Sequence, residues 1–533
     1  MPYRVLVTDD IDPDGVALLA AEPSLRVDEV PTLPVAELLD RIGEYDAFVG
    51  RSATRISGEV LARASRLRVI GRAGVGVDNI ALDRATELGI AVINAPAGNT
   101  VAVAELFFGS VIGLLRHIPQ ADATMHGGSW DRSRLLGNEL RGRTLGIVGL
   151  GRIGGEVAVR AHSFGMTLVA YDPYVSDERF AGLRVRRCTT MEELLEASDI
   201  VTVHTPLTDE TRGMVGRREL ARLSPGAIVC NLARGGIVDE PALVAALEGG
   251  MLRGAVLDVY VAEPLAADHP LRRASNVVLT PHLGASTEEA QRNVAVDVCI
   301  AVRDALVQGE LSRSINLTGG TSGPWDEMRG ALTVARRAAA LARALLADRG
   351  VKAVQRLSLR CGPDLAGAET LILSAAAAGA LEGVLGPDRL NLINARAVAQ
   401  QRGLALASSV SDRLGHARAV EISMGGGMGE MLVAGVAPAD GGPRLTRIGG
   451  FHVDVPPRQT LIVLTNHDVP GVIGRVGTLL GDAGVNIADM DVGRAQTAGT
   501  AVMLIAPTSE VDGATLDALW AAPGIVSVRA LTA

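Results

Sequence analysis

Three residues suited to oxidising an alcohol stand just past successive apolar segments of this 533-residue chain. The segment Ala227–Asn231 runs into Leu232-Ala233-Arg234-Gly235-Gly236. Residues 254–257 run into Asp258 and then Glu263-Pro264, and Val277–Leu279 runs into Thr280-Pro281-His282-Leu283-Gly284. A further segment, 200–204, ends in Thr205-Pro206-Leu207-Thr208. Read as parallel strands, the four deliver polar groups to one edge of a sheet, where open α/β sheets bind their ligands. Taking a hydride from a carbinol carbon needs a base for the hydroxyl proton, and the reverse reaction needs an acid. The ordinary pKa of a histidine such as His282 suits both tasks. A carboxylate at Glu263 would fix the imidazole tautomer and favour the imidazolium, and Arg234 would grip a substrate carboxylate in bidentate fashion.

The partner for such a hydride is implied by residues 144–172. Leu145, Ile147 and Val148 predict a short buried strand, and Gly149-Leu150-Gly151-Arg152-Ile153-Gly154 follows at once. Helical spacing comes next (Val157, Val159, Ala161, Phe164), then a second strand over 167–170 that ends in Tyr171-Asp172. This is a βαβ unit in the order a dinucleotide requires: Gly149 for the tight turn, Gly151 for close approach of the pyrophosphate, Gly154 for packing of helix on strand. Asp172 is placed to accept hydrogen bonds from the adenosine ribose and to repel a 2′-phosphate, which favours NAD over NADP. Arg152 and Ile153 on the turn, and Thr205, Pro206, Ala233 and Asp258 at the later strand ends, complete the expected cofactor-facing set.

These groups need elements to hold them. Residues 1–98 alternate strands (5–7, 47–49, 67–70, 90–93) with helical stretches such as 34–42, which predicts a parallel α/β domain. Two of its strand-end loops are Arg51-Ser52-Ala53-Thr54 and Gly71-Arg72-Ala73-Gly74-Val75-Gly76-Val77-Asp78-Asn79. Arg51 and Arg72 offer charged forks to an anion, with Ser52 and Gly74 beside them. Residues 99–117 read as one long connecting helix, capped by Asn99 or Thr100, with Val101, Ala104, Leu106, Phe107, Ile112 and Leu115 on its apolar positions. The polar arm 127–134 then sets Trp130 beside Arg132 and Arg134, a composition suited to a subunit contact.

Composition limits the alternatives. Hydrophobic residues make up 48% and charged residues 21%, enough for a large core in about three or four domains. A net charge of −9 with interspersed signs and only 3% aromatics argues against a nucleic-acid partner. No apolar run approaches the ~20 residues of a membrane span and the first residues lead straight into a strand, so no membrane partner and a cytoplasmic location are expected. Cys188, Cys230, Cys299 and Cys361 are scattered without metal-ligand spacing, so they are expected to be reduced and buried, and no metal is expected.

The glycine turn, Ala233-Arg234-Gly235-Gly236-Ile237-Val238-Asp239-Glu240 and Thr280-Pro281-His282-Leu283-Gly284-Ala285 resemble the motifs of the D-2-hydroxyacid dehydrogenases. The Arg51 and Gly71–Asn79 loops narrow the resemblance to the phosphoglycerate dehydrogenase branch. What it implies is NAD-dependent oxidation of 3-phosphoglycerate to 3-phosphohydroxypyruvate, the entry to L-serine synthesis. Arg234, Glu263 and His282 match that family's catalytic residues, and Arg51 and Arg72 its phosphate-side residues. Arg132 or Arg134 would reach the substrate of a partner subunit in a homotetramer. The family fold is discontinuous: an α/β, Rossmann-type nucleotide domain (99–285) is inserted in a flavodoxin-like substrate domain (1–98 and 286–316), with a helix over 287–306 making the return.

Beyond a linker at 318–324, a helix over 331–347, a strand over 354–359 and helices over 370–385 and 393–401 say only α+β. Asn391-Leu392-Ile393-Asn394 and Arg447-Ile448-Gly449-Gly450-Phe451 resemble the family's intervening domain (317–456), where Arg444 and Arg447 are candidates for anion binding. From 459 onward the pattern is βαββαβ: strand 461–465, helix 470–483, strands 485–492 and 500–506, helix 511–521, strand 525–529. That order makes a ferredoxin-like module (457–533). Asn466-His467-Asp468-Val469-Pro470-Gly471 and Gly484-Val485-Asn486-Ile487 resemble the ACT domain. The resemblance implies L-serine as effector, with Asp468 meeting the α-ammonium, Asn466 beside it and Asn486 contributed by a neighbouring chain. Two other functions stay open: a D-2-hydroxyacid dehydrogenase with an unphosphorylated substrate, against which Arg51 and Arg72 count, and a non-enzymatic NAD-sensing protein on the same scaffold.

Overall fold

A computed structural model describes residues 2–319, 324–351, 353–382, 390–427, 429–458, 460–494 and 499–531. Positions 320–323 of the expected linker, 383–385 of an expected helix, and Gln459 lie outside the described residues.

The strands of the described residues form four sheets. In the first, Leu25–Glu29, Tyr3–Val7, Ala47–Gly50, Val69–Arg72 and Ala91–Asn94 lie side by side, all parallel. This is the doubly wound order in which the first strand sits between the second and third. Leu25–Glu29 escapes an apolar pattern because it is an edge strand carrying Arg26, Asp28 and Glu29. The second sheet runs Val277–Leu279, Leu252–Leu257, Ala227–Asn231, Ile200–Val203, Thr144–Val148, Thr167–Tyr171, Arg186–Arg187, again all parallel. The order reverses between Ile200–Val203 and Thr144–Val148, so the glycine turn after Val148 opens at the switch point, where such sheets take ligands.

The connecting helix is shorter than the sequence suggests. It spans Thr100–Leu115; His117 takes φ 55°, and a second helix, Ile118–His126, bends away by 65° with Pro119 in its first turn. A proline there cannot continue the preceding hydrogen-bond ladder. Asn99 makes no side-chain cap. The buried face runs through Val103, Phe107, Val111 and Leu114, while Val101 points to solvent. On the nucleotide helix Arg152–Ser163, Val157 and Ala161 are buried as expected, but Val159 is exposed, and Phe164 stacks on Phe108 at 4.9 Å rather than entering the core.

Helix Glu288–Gln308, capped by the Thr287 hydroxyl, carries the chain back onto the first sheet. Its Val298 and Val302 press on Gly71, where a Cβ would lie 2.6 Å from Val302 Cγ2. Past it, the Ala-rich helices Trp325–Asp348 and Glu369–Ala380 cross so closely that a Cβ on Gly379 would lie 1.9 Å from the Arg336 carbonyl oxygen. They cover a six-stranded sheet in the order Ala405–Val410, Arg356–Cys361, Ala419–Gly426, Gly429–Val436, Arg444–Ile448, Phe451–Val455, of which the sequence pattern reveals only Arg356–Cys361. The last module orders Ile487–Arg494, Thr500–Pro507, Leu461–His467, Ile525–Leu531 antiparallel, with helices Val472–Asp482 and Gly513–Ala521.

All four cysteines are free and buried, and burial raises each thiol's pKa. Among the described residues no single helix is long and apolar enough to cross a membrane. Phe107, 1% exposed, lies edge-on to Phe108 and His204 beneath the nucleotide sheet. Phe107→Ala is expected to cost about 3–5 kcal/mol, read as a lower denaturation midpoint.

Candidate functional site

The glycine turn is built as a dinucleotide needs it. Gly149 has φ 90°, a value L side chains rarely adopt, and a Cβ on Gly154 would lie 2.1 Å from the Gly149 carbonyl oxygen. A Cβ on Gly151 would meet nothing within 4 Å, and the helix it opens has no side-chain cap. Free N–H groups at an open helix N-terminus suit a pyrophosphate. The Asp172 carboxylate accepts from the N–H of Leu150 at 2.8 Å and of Tyr174 at 2.9 Å, which anchors it beside the turn. Thr205 borders the same turn, its Cγ2 lying 2.9 Å from where a Gly149 Cβ would stand. The Ala233 N–H is turned inward to Asn231 Oδ1 at 3.1 Å.

At the far strand ends, His282 Nδ1 and Glu263 Oε2 are 2.8 Å apart. The other Glu263 oxygen accepts the Tyr260 N–H at 3.0 Å, so the carboxylate is fixed from both sides. Its bond to Nδ1 leaves His282 Nε2 for a substrate. Asp258, expected to face the cofactor, also braces the histidine loop. It is fully buried, and its oxygens accept from Thr280 Oγ1 at 2.6 Å, Leu283 N at 2.7 Å and Gly284 N at 2.9 Å. Burial raises its pKa against these bonds. Its carboxylate therefore shapes the histidine loop.

Arg234 reaches across to the first sheet's loop, where its Nε donates to Asp78 Oδ2 at 3.0 Å. It lies close enough to Arg72 and Arg51 to depress Arg72. Burial first, then repulsion from Arg234 and Arg51, push the Arg72 guanidinium down to about 10. Glycines make room for this crowding: a Cβ would lie 1.4 Å from Arg72 Nη1 at Gly74 and 1.8 Å from Arg234 Nη2 at Gly76. The Arg51 loop is pinned by Asp9, which accepts the N–H of Arg51 at 2.8 Å and the Thr54 hydroxyl at 2.6 Å. Ser52 is exposed on that loop. Arg132 and Arg134 are not joined to this group by any described contact. They lie on an arm whose Trp130 is 82% exposed, and Arg134 pairs with Asp131 at 3.4 Å.

In the last module, Asn466, Asp468 and Arg494 line a cavity of about 210 Å³ at the start of helix Val472–Asp482. Asn466 Oδ1 is buried with no hydrogen-bond partner among the described residues, and Asp468 pairs with Arg494 at 3.4 Å. Asn486 stands past the other end of that helix, exposed, and does not line the cavity. Arg444, an expected anion ligand, is already engaged by Asp454 at 2.6 Å and Asp489 at 3.7 Å, and Arg447 Nε by the Gly449 carbonyl at 2.9 Å.

Residues 108–284 match the family "D-isomer specific 2-hydroxyacid dehydrogenase, NAD binding domain", and residues 460–523 match the ACT domain. Over 99% of both chains, the sequence is 38% identical to the D-3-phosphoglycerate dehydrogenase of Bacillus subtilis and 37% identical to that of Methanocaldococcus jannaschii. The chain belongs to the D-3-phosphoglycerate dehydrogenase family. Among solved structures, a Thermus thermophilus protein shares 38% identity at TM-score 0.54, covering 58% of this chain and 99% of its own. The Aquifex aeolicus D-lactate dehydrogenase complexed with NAD and lactic acid shares 26% at TM-score 0.51, covering 58% of this chain and 97% of its own. The family's nucleotide-binding region thus coincides with the second sheet and its glycine turn.

Two residues near this glycine turn carry no sequence signal. Arg179 donates from Nε to the Leu150 carbonyl at 3.0 Å and from Nη2 to the Gly151 carbonyl at 2.7 Å, from a helix whose spacing marks it as a surface residue. His204 lies behind Gly149, its Nε2 3.0 Å from Thr202 Oγ1 and its Nδ1 sealed without a partner among the described residues. Burial pushes its pKa from 6.5 down to about 4. A depressed basic group stabilises the fold while neutral, so this contribution is complete above about pH 6.5 and is lost as pH falls toward 4. His204→Gln should lose less stability than wild type across that window, by up to about 3 kcal/mol, in denaturation curves taken at stepped pH.

Proposed function

We propose that this chain oxidises 3-phospho-D-glycerate to 3-phosphohydroxypyruvate with NAD, the first step of L-serine biosynthesis, with Arg234, Glu263 and His282 as its catalytic residues. The observation that carries this reading is the group Arg51, Arg72 and Arg234. Three neighbouring guanidiniums, one depressed to about 10, call for a substrate with two separate anionic groups, and phosphoglycerate has a carboxylate and a phosphate. An unphosphorylated hydroxy acid would neutralise only one end.

In this reading Arg234 orients the substrate carboxylate, while Arg51 and Arg72, with Ser52 and the backbone around Gly74, hold the phosphate. His282 takes the proton of the C2 hydroxyl on Nε2, and Glu263, bonded to Nδ1, stabilises the resulting imidazolium. NAD, when bound, supplies the hydride acceptor. The residues that would hold it are Gly149, Gly151, Arg152, Ile153 and Gly154 at the pyrophosphate, Asp172 at the ribose, and Thr205, Pro206 and Ala233 along the cleft. The substrate domain is 1–98 with 286–316, the nucleotide domain 99–285, the intervening domain 317–456 and the regulatory domain 457–533. Arg132 or Arg134 would complete the phosphate site of a second copy in a homotetramer.

NADH formation with 3-phosphoglycerate, set against glycerate and lactate, tests the substrate; equal turnover of the three would sink the phosphate reading. His282→Asn should lower kcat roughly 10²–10⁴-fold with NADH binding intact. A variant keeping a tenth of wild-type turnover would remove His282 from the role.

Serine is the effector that fits the last module, since its ammonium, carboxylate and hydroxyl need several convergent polar groups. Asn466 Oδ1, without a partner among the described residues, and the Asp468 carboxylate would supply part of that set, and Asn486 of a second copy would supply more. Asp468→Ala should abolish serine inhibition while kcat stays near wild type. Unchanged serine affinity by calorimetry would exclude this site.

A further inference from the structure

The loop motif that carries Arg234 ends in Asp239-Glu240, and the second of these has no part in the chemistry above. Asp239 is accounted for as the cap of helix Glu240–Glu248, accepting the Ala242 N–H. Glu240 is the first residue of that helix, yet its carboxylate is buried, with side-chain exposure of 10%, and it points away from the helix into the active-site turn. Its Oε1 accepts the N–H of Val261 at 2.7 Å, and its Oε2 stands 3.3 Å from His269 Nε2. His269 Nδ1 accepts the Leu271 N–H at 3.3 Å. With Nδ1 accepting, a neutral His269 carries its proton on Nε2, the nitrogen that stands beside the Glu240 carboxylate.

Val261 lies between Tyr260, whose N–H holds Glu263 Oε1, and Glu263 itself. The same turn is pressed by the Arg234 loop: a Cβ on Gly235 would lie 1.9 Å from the Tyr260 carbonyl oxygen. One short turn is thus held by both the loop that bears Arg234 and the Glu240 carboxylate, and it bears the acid that meets His282.

We propose that Glu240, backed by His269, is a positioning residue that sets the 260–263 turn and so aims Glu263 at His282. The inference rests on the reading of His282 and Glu263 as the proton-transfer pair. Small misplacements of a catalytic group cost up to about 100-fold, so Glu240→Ala should lower kcat roughly 10- to 100-fold. NADH affinity, read by fluorescence titration, and KM for 3-phosphoglycerate should stay within about threefold of wild type. Because Glu240 acts through Glu263, the double variant Glu240→Ala/Glu263→Gln should be no slower than Glu263→Gln alone. If Glu240→Ala does not yield folded enzyme, Glu240→Gln takes its place: it keeps the bulk but must present N–H to either Val261 N–H or His269 Nε2–H. Losses that multiply in the double variant, or that fall on NADH affinity or KM, would overturn the proposal. Wild-type kcat in both Glu263→Gln and His282→Asn would instead overturn the reading of the pair itself.

Discussion

Three like charges held in one cleft are the constraint on which the structure around the site depends. Arg51, Arg72 and Arg234 repel one another, and Arg72 is largely removed from the water that would screen it. Left to themselves such groups would swing into solvent. The fold prevents this with short, rigid partners: Asp9 on the Arg51 backbone, Asn79 Nδ2 on the carbonyls of Arg51 and Thr54, Asp78 on Arg234 Nε. The glycines at 74 and 76 belong to the same solution, since any side chain there would occupy the space of a guanidinium. An anion entering the cleft would relieve repulsion that folding has already assembled, so its binding energy would come from preorganised charge.

That arrangement is also tied to the distant part of the chain. Asn391 Nδ2 donates to the Gly89 carbonyl at 2.6 Å and Asn394 Nδ2 to the Glu87 carbonyl at 3.2 Å, just before strand Ala91–Asn94. At the other end of this strand, Asn94 Nδ2 donates to the Val75 carbonyl at 2.5 Å, inside the loop that carries Gly74, Gly76 and Asp78. One four-residue strand, rigid within a parallel sheet, joins the third sheet's domain to the arginine loop. The intermediate Asn316 binds the same corner through the Val92 N–H and the Ile90 carbonyl. Coupling between distant sites requires elements with two arrangements, and this joint is where such elements would meet the arginine loop.

What could be read from the sequence follows from how local each signal is. The βαβ turn was legible because three glycines, two apolar strands and an acid occur within 29 residues in a fixed order. The polar strand-end residues were legible because buried parallel strands are continuous apolar runs that stop abruptly. The five missed strands of the third sheet are short or contain glycine: Ala419–Gly426 and Gly429–Val436 each include two glycines, and Phe451–Val455 alternates over only five residues. The bonds from Asp258 to the histidine loop are hidden in the sequence for a different reason. Its position at a strand end is legible, but a strand-end acid can also hold neighbouring loops, and only the three-dimensional path of residues 280–284 shows that it does. The contacts of Arg179 and Glu240 leave no mark in the sequence because their partners lie in loops that reach them through tertiary packing.

Asp258 bears on the candidate proton-transfer pair through the conformation of His282. His282 has φ 55°, in the left-handed region, where a non-glycine residue costs on the order of 1–3 kcal/mol. The loop holds it there because Asp258 makes contact through both backbone and side chain: its carbonyl accepts the His282 N–H at 2.9 Å, and its carboxylate accepts the next two N–H groups. Tyr260 adds a hydroxyl shared between the Leu257 and Thr280 carbonyls at 3.1 and 3.0 Å. A relaxed loop would point the imidazole elsewhere and leave Glu263 without its partner. The strained residue is therefore the one whose direction matters most, and a fully buried carboxylate is retained, against its desolvation, where three donors converge to fix that direction.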